Sequence, residues 1–251
     1  MPDPALFQYT LRLADNGLIL GHRLSEWIGH APLLEEELAL GNIALDLIGQ
    51  ARALYTHAGA IEGMGRDEDA LAYRRDSGEF RNILLVEFPN GDFAETIVRL
   101  CCFATFMERY WSALARSTDA TLAAIAAKAA KEAAYHARHA GEWLIRLGDG
   151  TEDSHRRAQD ALDALWPYMG ELFEADAMDG TLIARGIAVD AAALRAEWDA
   201  RLAAIIAEAT LRRPETSWMH SGGRSGRHSE YLGHLLATMQ SLNRVHPGAV
   251  W

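Results

Sequence analysis

The sequence predicts an all-α fold, and three observations carry that prediction. Strand-like alternation is almost absent, apolar residues recur at helical spacing along most of the chain, and Gly, Pro and Asp separate the helical stretches. Of the 251 residues, 49% are hydrophobic, which is enough to build a large core without disulfides or metal. We therefore expect a single domain over residues 1–251.

Long helical stretches dominate the N-terminal part of the chain, about 4–147. Their predicted spans are 4–29, 33–60, 92–116 and 119–147. Asp92 and Asp119 are suitable N-caps for the third and fourth helices. A polar stretch at 62–80, with short helical turns at most, separates the two helix pairs. This arrangement is typical of a ferritin-like four-helix bundle, and an unrelated all-α array is the alternative left open.

Additional C-terminal helices are predicted over about 153–244. Their spans are 153–178 with a kink at Pro167, 190–211, and 228–244. The glycine-rich segment 221–228 precedes the last helix and is interpreted as a flexible linker and cap. The alternative is an anion site formed by its backbone amides with Arg224 or Arg227.

Charge and cysteine content exclude several function classes. The net charge of −11 makes nucleic acid and anionic membrane surfaces poor partners. Cys101 and Cys102 are adjacent and point about 100° apart on a helix, so they make a poor disulfide pair. No signal peptide or 18-residue apolar run is evident, which indicates a cytoplasmic protein. No phosphate loop, dinucleotide fingerprint or nucleophile elbow is present either.

A ferritin-like di-metal site needs inward carboxylates and two Glu-x-x-His pairs, because residues i and i+3 share a helix face. One such spacing occurs, at Glu152 and His155, but it directly follows a glycine turn among polar residues. We interpret it as a capping sequence at a helix start.

The second helix carries no such pair. Its apolar residues cover most of its circumference, and one narrow polar row runs along it. That row consists of Glu35, Asn42, Asp46, Gln50 and His57. It is either a remnant metal site or a hydrogen-bonded polar row, paired or hydrated, and the second interpretation is favoured.

The fourth helix places Glu132 and His136 on a predicted inward stripe with Ile125, Ala129, Trp143 and Leu147. Their spacing is i to i+4, and Ala133 stands three residues before His136, where a ligand would be needed. A satisfied core pair is therefore favoured over a ligand pair.

The remaining candidates are scattered carboxylates and one histidine. In the first helix Asp15, His22 and Glu26 could share a face, and in the third Glu95 and Glu108 are equally suited to a solvated face. We assign no catalytic, cofactor-binding or metal-ligating residue and no cofactor. The alternative hypothesis is a di-metal oxygenase with an atypical site. Its ligands would come from Asp15 or Glu26, Asp46, Glu95, Glu132 and His136.

Longer segments of the sequence resemble the PaaC family, which is part of the multicomponent phenylacetyl-CoA epoxidase. The resemblance covers nearly the whole chain. It is carried by YTLRLADN, LGHRLSEWIGHAPLLEEELALGNIALDLIGQAR, LLVEFPNGDFAETIVR, KEAAYHARHAGEWLIRLGDGT, GIAVD and GGRSGRHSEYLGHLLATMQSLNRVHPGAVW.

This resemblance implies a ferritin-like, non-catalytic subunit that supports a homologous catalytic subunit. That partner would hold a di-iron centre and use O2 to epoxidise the ring of phenylacetyl-CoA, with electrons from NADPH through a reductase. It also implies that the subunit alone can form a homodimer. In the related catalytic subunit the fourth-helix motif resembles Lys-Glu-Glu-x-x-His, and here Ala133 replaces the second Glu.

Overall fold

The structure is a computed structural model that describes residues 3–249. Over that range it contains ten α-helices, short 3-10 turns and no β-strand. The helices are α1 (Pro4–Ser25), α2 (Leu34–Glu62), α3 (Glu68–Tyr73), α4 (Phe93–Leu114), α5 (Ala120–Gly148), α6 (Glu152–Leu165), α7 (Ala177–Ala184), α8 (Arg195–Glu208), α9 (Glu230–Met239) and α10 (Ser241–Val245). The predicted all-α, ferritin-like class is confirmed, with its two pairs of long helices, α1–α2 and α4–α5.

The described residues fold into two compact units. Unit 1 is formed within Met1–Pro89 and Ser221–Trp251, and unit 2 is formed within Asn90–His220. The single domain expected over 1–251 stays a prediction. No helix within the described range is both long enough and apolar enough to cross a bilayer.

In unit 1, α1 and α2 pack antiparallel along their length. Glycines permit this close approach, because a Cβ at Gly17 would lie 3.0 Å from the carbonyl oxygen of Leu47. A Cβ at Gly21 would lie 2.9 Å from Cγ1 of Ile48. The first helix ends at Ser25 and not at the expected residue 29. After Ser25 the chain forms turns, in one of which the His30 amide donates to the Trp27 carbonyl.

In unit 2, α4 packs on α5, and both predicted N-caps are confirmed. The Asp92 carboxylate accepts from the Glu95 amide at 3.0 Å, and the Asp119 carboxylate accepts from the Leu122 amide at 2.9 Å. The buried indole of Trp198 in α8 donates to the Cys102 carbonyl at 3.0 Å, which fixes α8 against α4.

The predicted helix over 153–178 is wrong. Instead, α6 ends at Leu165, two 3-10 turns follow, and α7 starts at Ala177. Pro167 lacks the amide hydrogen that would continue the helix, so it ends the helix and does not merely kink it. The predicted helices 190–211 and 228–244 are also shorter or divided, the second into α9 and α10.

Candidate functional site

The buried face of α5 is rotated slightly about the helix axis relative to the stripe predicted from the sequence. It consists of Leu122, Ala126, Ala129, Ala133, His136, Ala137, Ala140, Gly141, Leu144 and Gly148. Ala133 and His136 are each only 2% exposed. Glu132 lies at the edge of this face, and its carboxylate is 3.4 Å from Nζ of the exposed Lys128. Glu132 therefore lies less far inward than predicted, whereas His136 is buried as predicted.

The single Glu-x-x-His sequence lies at the start of α6, where its histidine and its neighbours, but not Glu152, take part in capping. Thr151 is the N-cap of α6, and the Ser154 amide donates to its hydroxyl at 3.2 Å. His155 Nδ1 lies 2.7 Å from the Gly148 carbonyl, so its ring can donate to the C-terminal end of α5. Glu152 is exposed to solvent. His155 therefore links the start of α6 to the end of α5, whereas Glu152 faces solvent.

The polar row on α2 passes gradually from solvent into the interior. Glu35 and Asn42 are exposed, Asp46 and His57 are half-buried, and Gln50 is buried. Its interpretation as a hydrogen-bonded row, and not as a remnant metal site, stays a prediction.

Asp15, a candidate ligand on α1, lies at the centre of a buried group in unit 1. We call this group the Asp15 cluster: Asp15, Tyr55, Arg75 and the backbone amide of Arg81. The Tyr55 hydroxyl donates to the carboxylate at 2.5 Å and the Arg81 amide at 2.7 Å. Both terminal nitrogens of Arg75 also donate to it, one of them at 3.1 Å. The carboxylate is therefore fully occupied by hydrogen-bond donors.

The electrostatics of the Asp15 cluster favour a permanently ionised arginine. Burial alone would lower the pKa of Arg75, but the Asp15 carboxylate beside it raises that pKa. The guanidinium carbon also lies 4.2 Å from the Phe80 ring centroid, a cation–π contact. Burial, together with the Asp15 charge, raises the pKa of Tyr55 well above 10.0, so the phenol remains a donor.

A second buried carboxylate in unit 1 belongs to Glu87, which lies in the segment between α3 and α4. We call this group the Glu87 cluster: Glu87, Asn82, His228, Ser229 and Arg23. The Glu87 carboxylate accepts from Asn82 Nδ2 at 3.0 Å and from the Ser229 amide and hydroxyl at 2.8 and 2.6 Å. Arg23 donates to the Glu87 carbonyl at 3.0 and 2.8 Å.

His228 completes the Glu87 cluster as a charged ring. Its Nδ1 lies 2.5 Å from the Glu87 carboxylate and its Nε2 lies 3.0 Å from the Phe80 carbonyl. Both neighbours are acceptors, so the imidazolium form, with two N–H donors, satisfies both contacts. Burial alone would lower the pKa of His228, but its hydrogen bond to Glu87 and the charge of that carboxylate raise it above 6.5.

The segment 221–228 is a packed loop and not the flexible linker that we expected. A Cβ on Gly223 would lie 2.2 Å from the Asn82 carbonyl oxygen, so only glycine fits this approach. Ser229 then forms the N-cap of α9. Arg75, Glu87 and the role of His228 were not predicted from the sequence. A glutamate inside the apolar run Leu84–Phe88 was the one signal that could have indicated a buried charge.

The remaining candidate ligands have separate local surroundings in their own units. Glu26 is exposed, and Nη1 of Arg23 holds it at 3.0 Å. Burial lowers the pKa of His22 and raises the pKa of Glu95. Glu108 is half-buried on α4.

Both cysteines are buried and poor nucleophiles. Burial raises the pKa of Cys101 to about 12 and raises that of Cys102 well above 9.0, so the reactive thiolate is disfavoured in both.

The donor chemistry does not fit a di-metal centre. Within residues 3–249, no group of three or more His, Cys, Asp or Glu side chains is arranged to hold a metal ion. Of the atypical ligand set, the Asp15 carboxylate is filled by donors, and Glu26 and Glu132 are paired with Arg23 and Lys128. The assignment of no ligating residue stays a prediction.

Similarity to known proteins gives the class of protein to which this helical chain belongs. The whole chain, residues 1–251, matches the family described as phenylacetic acid catabolic protein, and the chain belongs to that family. It is also similar to one of the subunits of the 1,2-phenylacetyl-CoA epoxidase of Escherichia coli (strain K12). The two are 51% identical over 246 residues, which cover 98% of this chain and 99% of that protein.

Proposed function

We propose that the chain is the structural, non-catalytic subunit of a phenylacetyl-CoA ring-epoxidising monooxygenase that acts in aerobic phenylacetate breakdown in the cytoplasm. It supports a homologous catalytic subunit that holds the di-iron centre. The similarity to an epoxidase subunit over almost the full length of both chains supports its place in such a complex.

The non-catalytic role rests on one position in α5. Ala133 is buried beside His136 on the same helix face, three residues before it, where a Glu-x-x-His grip needs a carboxylate. A methyl group supplies no ligand, and two ferrous ions need several carboxylates to balance their charge.

Two other carboxylates of the atypical ligand set are already engaged by cations or hydrogen-bond donors. Glu132 is directed toward Lys128 at the edge of the helix face. The Asp15 carboxylate accepts from Tyr55, Arg75 and Arg81, and freeing it would strand a buried guanidinium. The alternative, an oxygenase with an atypical site, therefore has no supporting observation.

Co-purification with the catalytic homologue tests the proposal. We expect the two chains to elute together in gel filtration at micromolar concentration, with iron and ring-epoxidising activity in the complex. Purified alone from iron-rich medium, this chain should contain no stoichiometric iron. Separate elution contradicts the role as partner, and about two iron atoms per isolated chain establish the oxygenase alternative.

Isosteric variants, tested within the complex, distinguish a non-catalytic subunit from one that contributes metal ligands. Glu132→Gln and Asp46→Asn remove carboxylate charges with little change in shape, so turnover and iron content should stay within about twofold of wild type. A loss of iron in either variant would assign that carboxylate to a metal site and contradict a non-catalytic subunit.

A further inference from the structure

Lysine is confined to one helix of this acidic protein. The net charge of the chain is −11, and its only two lysines are Lys128 and Lys131. Both lie on α5 and are exposed, and the Lys128 side chain is 79% accessible to solvent. Arg138 is exposed further along the same helix. The outer face of α5 therefore concentrates positive charge on a protein whose surface is negative as a whole.

These cations lie in one row together with a tyrosine. We call this row the α5 cationic stripe: Lys128, Lys131, Tyr135 and Arg138. Successive members are three or four residues apart, so their side chains share one face of the helix. The stripe is about 15 Å long, because ten residue steps each rise about 1.5 Å.

The stripe keeps most of its positive charge. Nζ of Lys128 lies 3.4 Å from the Glu132 carboxylate, whose side chain is only 17% exposed at the edge of the face. In the part of the chain that the structure describes, no ion pair involves Lys131 or Arg138. The Arg138 guanidinium lies 5.6 Å from the centroid of the Tyr135 ring, a cation–π contact that leaves its charge in place.

The shape of this face suits the close approach of another helix. The other exposed residues beside the stripe include Ala124, Ala127 and Ala134, which are small. Small side chains allow two helix axes to approach closely. Tyr135 is 40% exposed and its ring stacks on His139 at 5.9 Å between centroids. A ring that is already held loses little conformational entropy on binding, and tyrosine is enriched at protein interfaces.

The charge of the whole chain selects the partner. A net charge of −11 repels nucleic acid, and three cations neutralise too few phosphates to overcome that repulsion. An acidic protein is likewise repelled by most of the surface and is steered toward the one helix face that attracts it. A helix with carboxylates at i, i+3 and i+7 presents them along one face, as the stripe presents its cations.

We propose that the α5 cationic stripe binds an acidic helix of a different protein. The carboxylates of that helix pair with Lys128, Lys131 and Arg138, and its backbone packs over the alanines and the Tyr135 ring. This inference does not depend on the proposed function, since it needs neither the epoxidase complex nor the absence of metal.

Fluorescence anisotropy with the isolated full-length chain tests the proposal. The probe is a labelled helical peptide of about 18 residues, with glutamates at i, i+3 and i+7 among alanines. It should bind with a dissociation constant of about 100 µM or below at low ionic strength, and salt should weaken the binding because the charges are exposed. The control peptide carries glutamine in place of each glutamate and should not bind.

Charge reversal locates the binding surface. Lys128→Glu combined with Lys131→Glu should raise the dissociation constant at least about tenfold, because two attractions become two repulsions. The matched control combines Arg74→Glu with Arg116→Glu, which reverses two exposed cations outside the stripe and changes the net charge equally. This control should bind the peptide within about twofold of wild type, since more distant charges are screened.

Zero-length cross-linking makes use of the scarcity of lysine. A carbodiimide joins a lysine amine to a carboxylate in contact with it, and the chain has no lysine besides Lys128 and Lys131. Mass spectrometry of the digested product should find the acidic peptide attached at one of these two positions. Lys128→Arg combined with Lys131→Arg should abolish the cross-link and keep binding within about threefold, because arginine retains the charge but not the amine.

Three results would overturn the proposal. The first is binding that is absent below about 1 mM, or equal in wild type and the charge-reversed variant. The second is inorganic polyphosphate that competes more strongly than the peptide at equal charge, which would make the stripe a general polyanion site. The third is a carbodiimide cross-link between two copies of this chain without peptide, which would assign the stripe to its own carboxylates. Circular dichroism checks that each variant is folded.

Discussion

The Asp15 and Glu87 clusters of unit 1 contrast with the buried face of α5 in unit 2. Unit 1 encloses two carboxylates, Asp15 and Glu87, each held by several donors from distant parts of the chain. The buried face of α5 in unit 2 is mainly alanine and leucine around His136. The difference indicates which kind of substitution destabilises each region. Unit 1 is sensitive to the loss of one charged partner, and α5 is sensitive to the gain of one.

The strongest test of this comparison removes Arg75. Arg75→Met leaves the buried Asp15 carboxylate without its cation, which should lower the free energy of unfolding by about 3–5 kcal/mol. Urea denaturation followed by circular dichroism measures the change. The control is Arg66→Met, which removes the partly exposed pair with Glu62 and a cation–π contact with Phe7 at 5.9 Å, and which should cost less than about 1 kcal/mol. Equal losses in the two variants would contradict a buried, essential Arg75.

The converse test adds a charge to unit 2. Ala133→Glu should lower the free energy of unfolding by about 3 kcal/mol and should not bind iron, since a lone carboxylate enters an apolar helix face. Ala134→Glu, one residue further along α5 and exposed, should change stability by less than about 0.5 kcal/mol. A stable, metal-free Ala133→Glu protein would show that position 133 does not belong to the core.

A smaller loss of stability is expected where segment 221–228 packs against the Asn82 backbone. Gly223→Ala places a methyl group against the Asn82 carbonyl and should cost about 1–3 kcal/mol. Gly233→Ala in α9 has open space around its new Cβ and should instead stabilise the helix by about 0.5–1 kcal/mol. Thermal melts of the two variants, one below and one above wild type, check the packing of segment 221–228.

The smallest expected effect is a pH dependence that comes from His228. Its pKa in the folded chain is raised above the ordinary 6.5, so its stabilisation is complete below pH 6.5 and is lost as pH rises through the raised value. The loss should be about 1 kcal/mol, the contribution of one hydrogen bond. His228→Gln should remove this part of the pH profile, and an unchanged difference between about pH 6 and pH 9 would contradict a charged His228.

Local chemistry explains which features could be predicted from the sequence. The caps Asp92 and Asp119 act on backbone three residues away, and the burial of Ala133 and His136 follows from helical periodicity. The Arg75–Asp15 pair joins residues 60 positions apart and leaves no periodic signal. The break at Pro167 was underestimated, because a proline kink and a proline stop have the same local sequence.

Unit 1 also imposes an order on the synthesis of the chain. Three of the four donors to the Glu87 carboxylate come from His228 and Ser229, whereas α1 and α2 are made first. Until the last part of the chain leaves the ribosome, the Glu87 carboxylate lacks its His228 contact. The backbone around Asn82 likewise lacks its contact with Gly223. Completion of the N-terminal unit is therefore coupled to translation of the C-terminus, so a prematurely terminated chain exposes an unfinished core to proteases.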